Sequence, residues 1–127
     1  MKFANRTTIK DAIAPGASVT SKSITGYSSS TLSSRRNTKQ RRFAGAIACI
    51  KSGAQGTYTI KLVFVSGKGV EYQLDEVILT AGESATWSDE EYGLDLDSGD
   101  TVKLEFSGAN TTSTDRVYLI LKQKDYV

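Results

Sequence analysis

The residues with the most chemical reach are the acids that crowd the later part of the chain. Asp89-Glu90-Glu91 is followed by Asp95, Asp97 and Asp100. Paired carboxylates can serve as acid and base in glycoside hydrolysis, and hard cations take such oxygens as ligands. Asp95-x-Asp97-x-x-Asp100 opens with the spacing of a calcium loop, but Gly99 stands at the third ligand position and Phe106 at the twelfth, where a bidentate Glu is needed. Alternation with Leu94 and Leu96 instead puts Asp95 and Asp97 on the solvent face of a strand, with Ser98-Gly99-Asp100 as the turn after it. A carboxylate pair at hydrolytic separation arises by chance among so many acids and singles out no residues. The chain has no histidine, so it lacks the usual zinc ligand and the usual general base near neutral pH. Its serines sit in no G-x-S-x-G elbow, and nothing pairs one with a lysine. The single cysteine, Cys49, lies in Ala44-Gly45-Ala46-Ile47-Ala48-Cys49-Ile50 and reads as a small buried hydrophobe with no activating partner. We expect no enzyme, no catalytic residue, no metal and no cofactor.

Charge is the more informative feature. The 127 residues carry 16 basic and 14 acidic side chains, a formal net charge of +2. That balance conceals a division. Residues 1–42 hold nine basic residues against the single acid Asp11, whereas residues 43–127 hold seven basic residues and thirteen acids. The positive charge peaks in Arg35-Arg36-Asn37-Thr38-Lys39-Gln40-Arg41-Arg42, directly after the Ser/Thr-rich run Ser28 to Ser34. Arg35, Arg36, Lys39, Arg41 and Arg42 are the candidate partner-binding residues; the alternative is an ordinary solvated loop. Their density suits nucleic acid, yet no interleaved aromatic residues offer a stacking platform. An acidic protein surface is favoured over nucleic acid, because the rest of the same chain supplies one.

Trp87 is the only tryptophan. With Tyr92, Tyr118 and Tyr126 it could stack on a sugar, which makes Trp87 and Tyr92 the candidate glycan contacts. Alternation places Ala85 and Trp87 on the face shared with Val77 and Leu79, so core packing is the favoured reading.

The elements that position these residues read as strands. In Tyr58-Thr59-Ile60-Lys61-Leu62-Val63-Phe64 the even positions form an apolar face; Val102-Lys103-Leu104-Glu105-Phe106 repeats the pattern, and Leu94 to Asp97 is a shorter version. Val117 to Leu121 is apolar on both faces, as in a central strand or one with an intersubunit face. Gly-containing turns punctuate the runs at Ser52 to Gly56, Ser66 to Gly69, Ala81 to Glu83, Ser98 to Asp100 and Ser107 to Asn110, and Gly67-Lys68-Gly69 is the clearest hairpin. No long window carries an apolar stripe at helical spacing. The expectation is an all-β chain, a single antiparallel β-sandwich of jelly-roll or immunoglobulin-like type with seven or eight strands. Residues 43–127 form its body. Residues 1–42 form a basic, Ser/Thr-rich N-terminal arm with one early strand near 17–25, poor in the apolar groups that offset ordering. The start at Met1 lacks the apolar run of a secretory signal, and no stretch is apolar enough to span a bilayer. The expected product is unprocessed, made in the cytoplasm and not membrane-bound.

In style the chain resembles small virion proteins of tailed bacteriophages, namely capsid decoration (cement) proteins and head or tail accessory proteins built on such sandwiches. The likeness is carried by the polar arm, by Ala14-Pro15-Gly16-Ala17-Ser18-Val19-Thr20, by Leu79-Thr80-Ala81-Gly82-Glu83-Ser84-Ala85-Thr86-Trp87, and by the Gly-Asp turn in Leu94 to Leu104. It implies a non-enzymatic structural protein of the virion that binds the major capsid protein or another virion protein, as a homo-oligomer and most naturally a trimer. The other reading is a tail or head-fibre module that binds a receptor or carbohydrate.

Overall fold

The computed structural model describes residues 3–13, 21–25, 41–97 and 99–126. Among the described residues, nine strands and one helical turn follow in order: β1 (Phe3–Ile13), β2 (Ser21–Thr25), β3 (Arg41–Ile50), β4 (Thr57–Val65), β5 (Glu71–Leu79), β6 (Ser84–Ser88), α1 (Asp89–Tyr92), β7 (Leu94–Leu96), β8 (Thr101–Ala109) and β9 (Val117–Tyr126). All strand pairs are antiparallel. One sheet has the order β1-β9-β3-β6, with β7 also on β3; the other has the order β2-β8-β4-β5.

The pairing is nested. First strand meets last, β2 meets β8, β3 meets β6 and β7, and β4 meets β5. The chain is thus a long antiparallel ribbon, closed by the β4–β5 hairpin and wrapped so that β9 also joins β3 and β8 also joins β4. That wrapping is the jelly roll, and it resolves the choice left open with the immunoglobulin-like alternative.

The core forms because every central strand carries apolar residues on alternate positions. Tyr58, Ile60 and Leu62 of β4, Val102 and Leu104 of β8, Ala48 and Phe43 of β3, and Val117, Leu119 and Leu121 of β9 are buried between the sheets. The β4–β5 turn closes at Ser66, whose carbonyl accepts from Gly69 N (2.8 Å) and whose own N–H donates to Val70 O (2.9 Å).

β3 bends to serve two partners on one edge. Residues Gly45 to Cys49 pair with β6, and residues Arg41 to Phe43 pair with β7. The change of partner coincides with a bulge between Phe43 and Ala46 against β9 and with Gly45 at φ +110°. A Cβ on Gly45 would lie 2.5 Å from Trp87 O, so only glycine fits there. The single turn α1 fills the break between β6 and β7. It is capped by Ser88, whose side chain accepts from Glu91 N at 3.2 Å.

Of the early strand expected near 17–25, residues Ser21–Thr25 form β2 and residues 17–20 lie outside the described residues. One other early-chain expectation changes. Residues 3–13, expected as part of a reaching arm, form β1 and pair with β9 from Phe3↔Tyr126 to Ile13↔Val117. Backbone hydrogen bonds to β9 supply what the scattered apolar residues of this segment do not. Cys49 is half-buried rather than buried, because alternation gives the inward positions of β3 to Ala48 and Ile50.

Candidate functional site

Arg35, Arg36 and Lys39 lie outside the described residues. Arg41 and Arg42 open β3 instead of ending a loop, and Arg41 takes part in the fold opposite Leu96 and Asp125. Arg42 is committed within its own subunit. Its Nε donates to Asp89 Oδ1 at 2.8 Å and its Nη1 to Asp95 Oδ1 at 3.1 Å, while Lys124 Nζ donates to Asp89 Oδ2 at 3.0 Å. Arg42 is therefore corrected from a partner contact to a brace joining β3, α1 and β7. Gly93 leaves the space: a Cβ there would sit 2.4 Å from Arg42 Nη2. Burial works against ionisation of Asp89, but the hydrogen bonds and charges of Lys124 and Arg42 outweigh it and hold the carboxyl below its ordinary value. For Arg42 burial likewise opposes the charge, and the two carboxylates raise the guanidinium pKa despite it.

Trp87 is only 2% exposed and belongs to the core, which removes it as a glycan platform and agrees with its alternation. Its indole Nε1 donates to Asp75 Oδ2 at 2.8 Å, and Tyr92 OH reaches the same oxygen at 3.4 Å. Asp75 thus ties β5, the edge of one sheet, to β6 and α1 at the edge of the other. The neighbouring charge of Asp75 raises the Tyr92 phenol pKa. The two residues grouped as sugar contacts are brought together, but as anchors of one carboxylate.

A third carboxylate, Asp115, had no signal in the sequence beyond its place after Thr111-Thr112-Ser113-Thr114. It is 1% exposed and saturated with donors. Tyr58 OH (2.6 Å) and Gly56 N (2.9 Å) reach Oδ2, and Gln55 N (2.9 Å) and Thr112 Oγ1 (2.9 Å) reach Oδ1. The Tyr58 hydrogen bond is the main reason the Asp115 carboxyl is held far below the usual range, against the cost of burial. Burial, then Asp115 itself, pushes the Tyr58 phenol well above its usual value. Such a node stabilises the two loops at one end of the sandwich; it presents no open acid or base. Asp95 and Asp97 are exposed beside buried Leu96, and Asp97 N donates to Asp100 Oδ2 at 3.0 Å, as the strand-and-turn reading expected.

Large apolar side chains also stand outward. Val70, Tyr72, Leu74 and Ile78 are exposed along β5 and its turn, with Ile78 65% and Tyr72 51% accessible. On the outer face of the other sheet, Ile47 pairs across from Ile120 and Cys49 from Tyr118. Tyr118 is exposed and the other three are half-buried. β9 is thus a central strand with its second apolar face uncovered, as its composition allowed. Among the described residues no group of His, Cys, Asp and Glu is placed to hold a metal, and no helix is long and apolar enough to cross a membrane.

With this geometry the fold is similar to that of Drosophila NLP-core, whose crystal structure is described as giving insight into pentamer formation and histone binding. The TM-score is 0.50 at 10% identity, over 93% of this chain and 95% of that one. A protein of the disulfide-linked pili that form Bacillus endospore appendages aligns with 100% of this chain and 94% of its own at 14% identity, with a TM-score of 0.41. At 10% identity the likeness to NLP-core is one of fold. No family model and no curated protein matches the chain.

Proposed function

We propose that the protein is a non-enzymatic structural component of a tailed-bacteriophage particle, a decoration or cement protein that assembles as a homo-oligomer, a trimer in the simplest case, and binds the major capsid protein or another virion protein. One observation carries this reading. The carboxylates that burial or half-burial sets at the joints of the sandwich, Asp75, Asp89 and Asp115, are each consumed by internal hydrogen bonds, whereas large apolar side chains on β5 and β9 stand exposed. A chain that spends its polar groups on its own joints and leaves apolar sheet surface in water is suited to contact with other polypeptides. The placement in a virion rests on the resemblance of the sequence phrases.

Clamps on a shell gain strength by repeating modest contacts at many junctions. Positive charge at Arg35, Arg36 and Lys39 meets acidic protein surface in this scheme. The test is co-sedimentation of the protein with heads purified from a phage that lacks it, alongside the variant Arg35→Ser/Arg36→Ser/Lys39→Ser. Wild type pellets with the heads and the variant stays in the supernatant with an unchanged far-UV spectrum. Equal pelleting of the two, or none by wild type, overturns the reading.

A further inference from the structure

β5 has little of its own surface in the core. Among the described residues it pairs with β4 alone, and of its side chains only Leu79 is buried, with Asp75 and Val77 half-buried. A bulge divides it. Asp75 pairs with Leu62 and Gln73 with Val63, so Leu74 is the extra residue. Leu79, Val77 and Asp75 therefore share the inner face at alternate positions, and the extra residue returns Tyr72 rather than Gln73 to that face, where its ring centre lies 6.0 Å from that of Phe64. Beyond the bulge Glu71, Tyr72, Gln73 and Leu74 are all exposed. The other half of the strand ends in a firm joint. Leu79 is buried, Ile50 N donates to Glu83 O at 2.9 Å, Gly82 N donates to Ile50 O at 3.1 Å, and Thr80 N donates to Glu83 Oε1 at 2.7 Å.

Asp75 stands between the exposed half and the joint. Among the described residues, two side-chain hydrogen bonds tie β5 to the edge of the opposite sheet, and both end on Asp75 Oδ2: from Trp87 Nε1 at 2.8 Å and from Tyr92 OH at 3.4 Å. Glu76 N donates to Oδ1 at 2.9 Å and fixes the aim of the carboxylate. The ion pairs of Glu71 with Lys103 and of Glu76 with Lys61 stay within one sheet and face solvent, where such pairs hold little. A strand with so few buried residues opens at a lower free energy than the whole molecule unfolds, and the opening spreads until it meets a tie that is costly to break. We propose that Asp75 is the latch of a hinged edge. While it holds the Trp87 indole, fraying stops at the bulge; when it lets go, β5 swings out as far as the joint at residues 80–83 and bares Trp87 and Val77. A charged acceptor makes a firm stop, because its withdrawal leaves the N–H of a core indole without a partner. The open edge adds the indole to Tyr72, Leu74 and Ile78, which are already exposed, and so enlarges the apolar surface shown to water. The latch belongs to the sandwich itself and holds whatever particle the protein joins.

The test is native-state hydrogen exchange followed by NMR on the full chain in low urea, where the single tryptophan gives one indole signal. Corrected for intrinsic rates, the Trp87 indole N–H and the β4-bonded amides of residues 75–79 are expected to share one protection. It should lie about tenfold or more above that of residues 71–74 and about tenfold or more below that of β9, and it should depend little on urea where β9 depends steeply. Asp75→Ala is expected to lower protection over residues 75–79 by about tenfold or more, with the weak urea dependence kept. Asp75→Asn, which keeps the shape and a neutral acceptor, should lower it by less, and it supplies the measurement if Asp75→Ala does not fold. The proposal is overturned if the indole and residues 75–79 exchange only together with β9 and with its urea dependence, if the indole exchanges independently of residues 75–79, or if neither change at Asp75 alters protection there.

Discussion

At the scale of single residues, Asp115 and Gly45 bear the most weight. Asp115 binds protons more weakly folded than unfolded, where its ordinary value is 3.8. Its contribution is therefore complete above that value and is lost as pH falls below it through the folded value. Tyr58 has the opposite sign. Its raised pKa means that its contribution is complete below the ordinary 10.0 and is lost as pH rises beyond it. Urea unfolding of wild type and Asp115→Asn should show a large stability gap at pH 7 that narrows below about pH 4; a gap constant down to pH 2 would contradict the ionised node. Tyr58→Phe should remove the Tyr58 share of the alkaline loss, making it shallower, and weaken the protein at neutral pH. Gly45→Ala combines a left-handed φ with a backbone clash against Trp87 O, and should cost ~2 kcal/mol or more in the same measurement. Trp87 was legible at this scale because alternation alone assigns it to the core. Asp115 was not: its partners Gln55, Gly56 and Tyr58 lie 57 to 60 positions away, and no local pattern announces a buried carboxylate.

At the scale of elements, legibility followed the strength of the period. β4, β8 and β9 alternate or run apolar over five or more positions, and they emerge where expected. The hairpin at Gly67-Lys68-Gly69 was visible because the turn chemistry is local. β1 was missed for a physical reason. Asn5-Arg6-Thr7-Thr8 carries no apolar signal, and the strand exists through backbone bonds to β9 that side-chain patterning does not encode. α1, four residues long, is too short to show a helical period, and the division of one strand into β6 and β7 is fixed by a bulge on a different strand. The Arg42–Asp89–Asp95–Lys124 brace holds that division in place. Its members are partly exposed, at 24% for Arg42 and 29% for Asp89, so solvent screening keeps its worth near that of a surface pair, about 0.5 to 1 kcal/mol. A double-mutant cycle on Arg42→Ala and Asp89→Ala should return a coupling of that size, reduced in ~1 M salt. Because the Asp89 carboxyl is held below its ordinary value, the coupling should persist at neutral pH and fade in acid.

At the scale of the whole molecule, the nested ribbon changes what truncation does. An arm that merely reached outward could be removed without harm. Here β1 covers one side of β9 and β2 covers one side of β8. Cutting the chain at Phe43 would therefore turn two central strands, β9 and β8, into edges, one in each sheet. Newly bared apolar edges of that length pair with other chains. Deleting residues 1–13 alone should lower the thermal midpoint by on the order of 10 °C and bring on concentration-dependent aggregation. The Arg35→Ser/Arg36→Ser/Lys39→Ser variant, which leaves both strands in place, should melt within about 2 °C of wild type, as surface changes generally do. Scanning calorimetry with light scattering separates the two. If the deletion melts like wild type, β1 is not an integral strand and residues 3–13 are released to act at a distance. If it melts early, β1 is an integral strand, and the positive charge of residues 3–13 belongs to the closed sandwich and does not act at a distance.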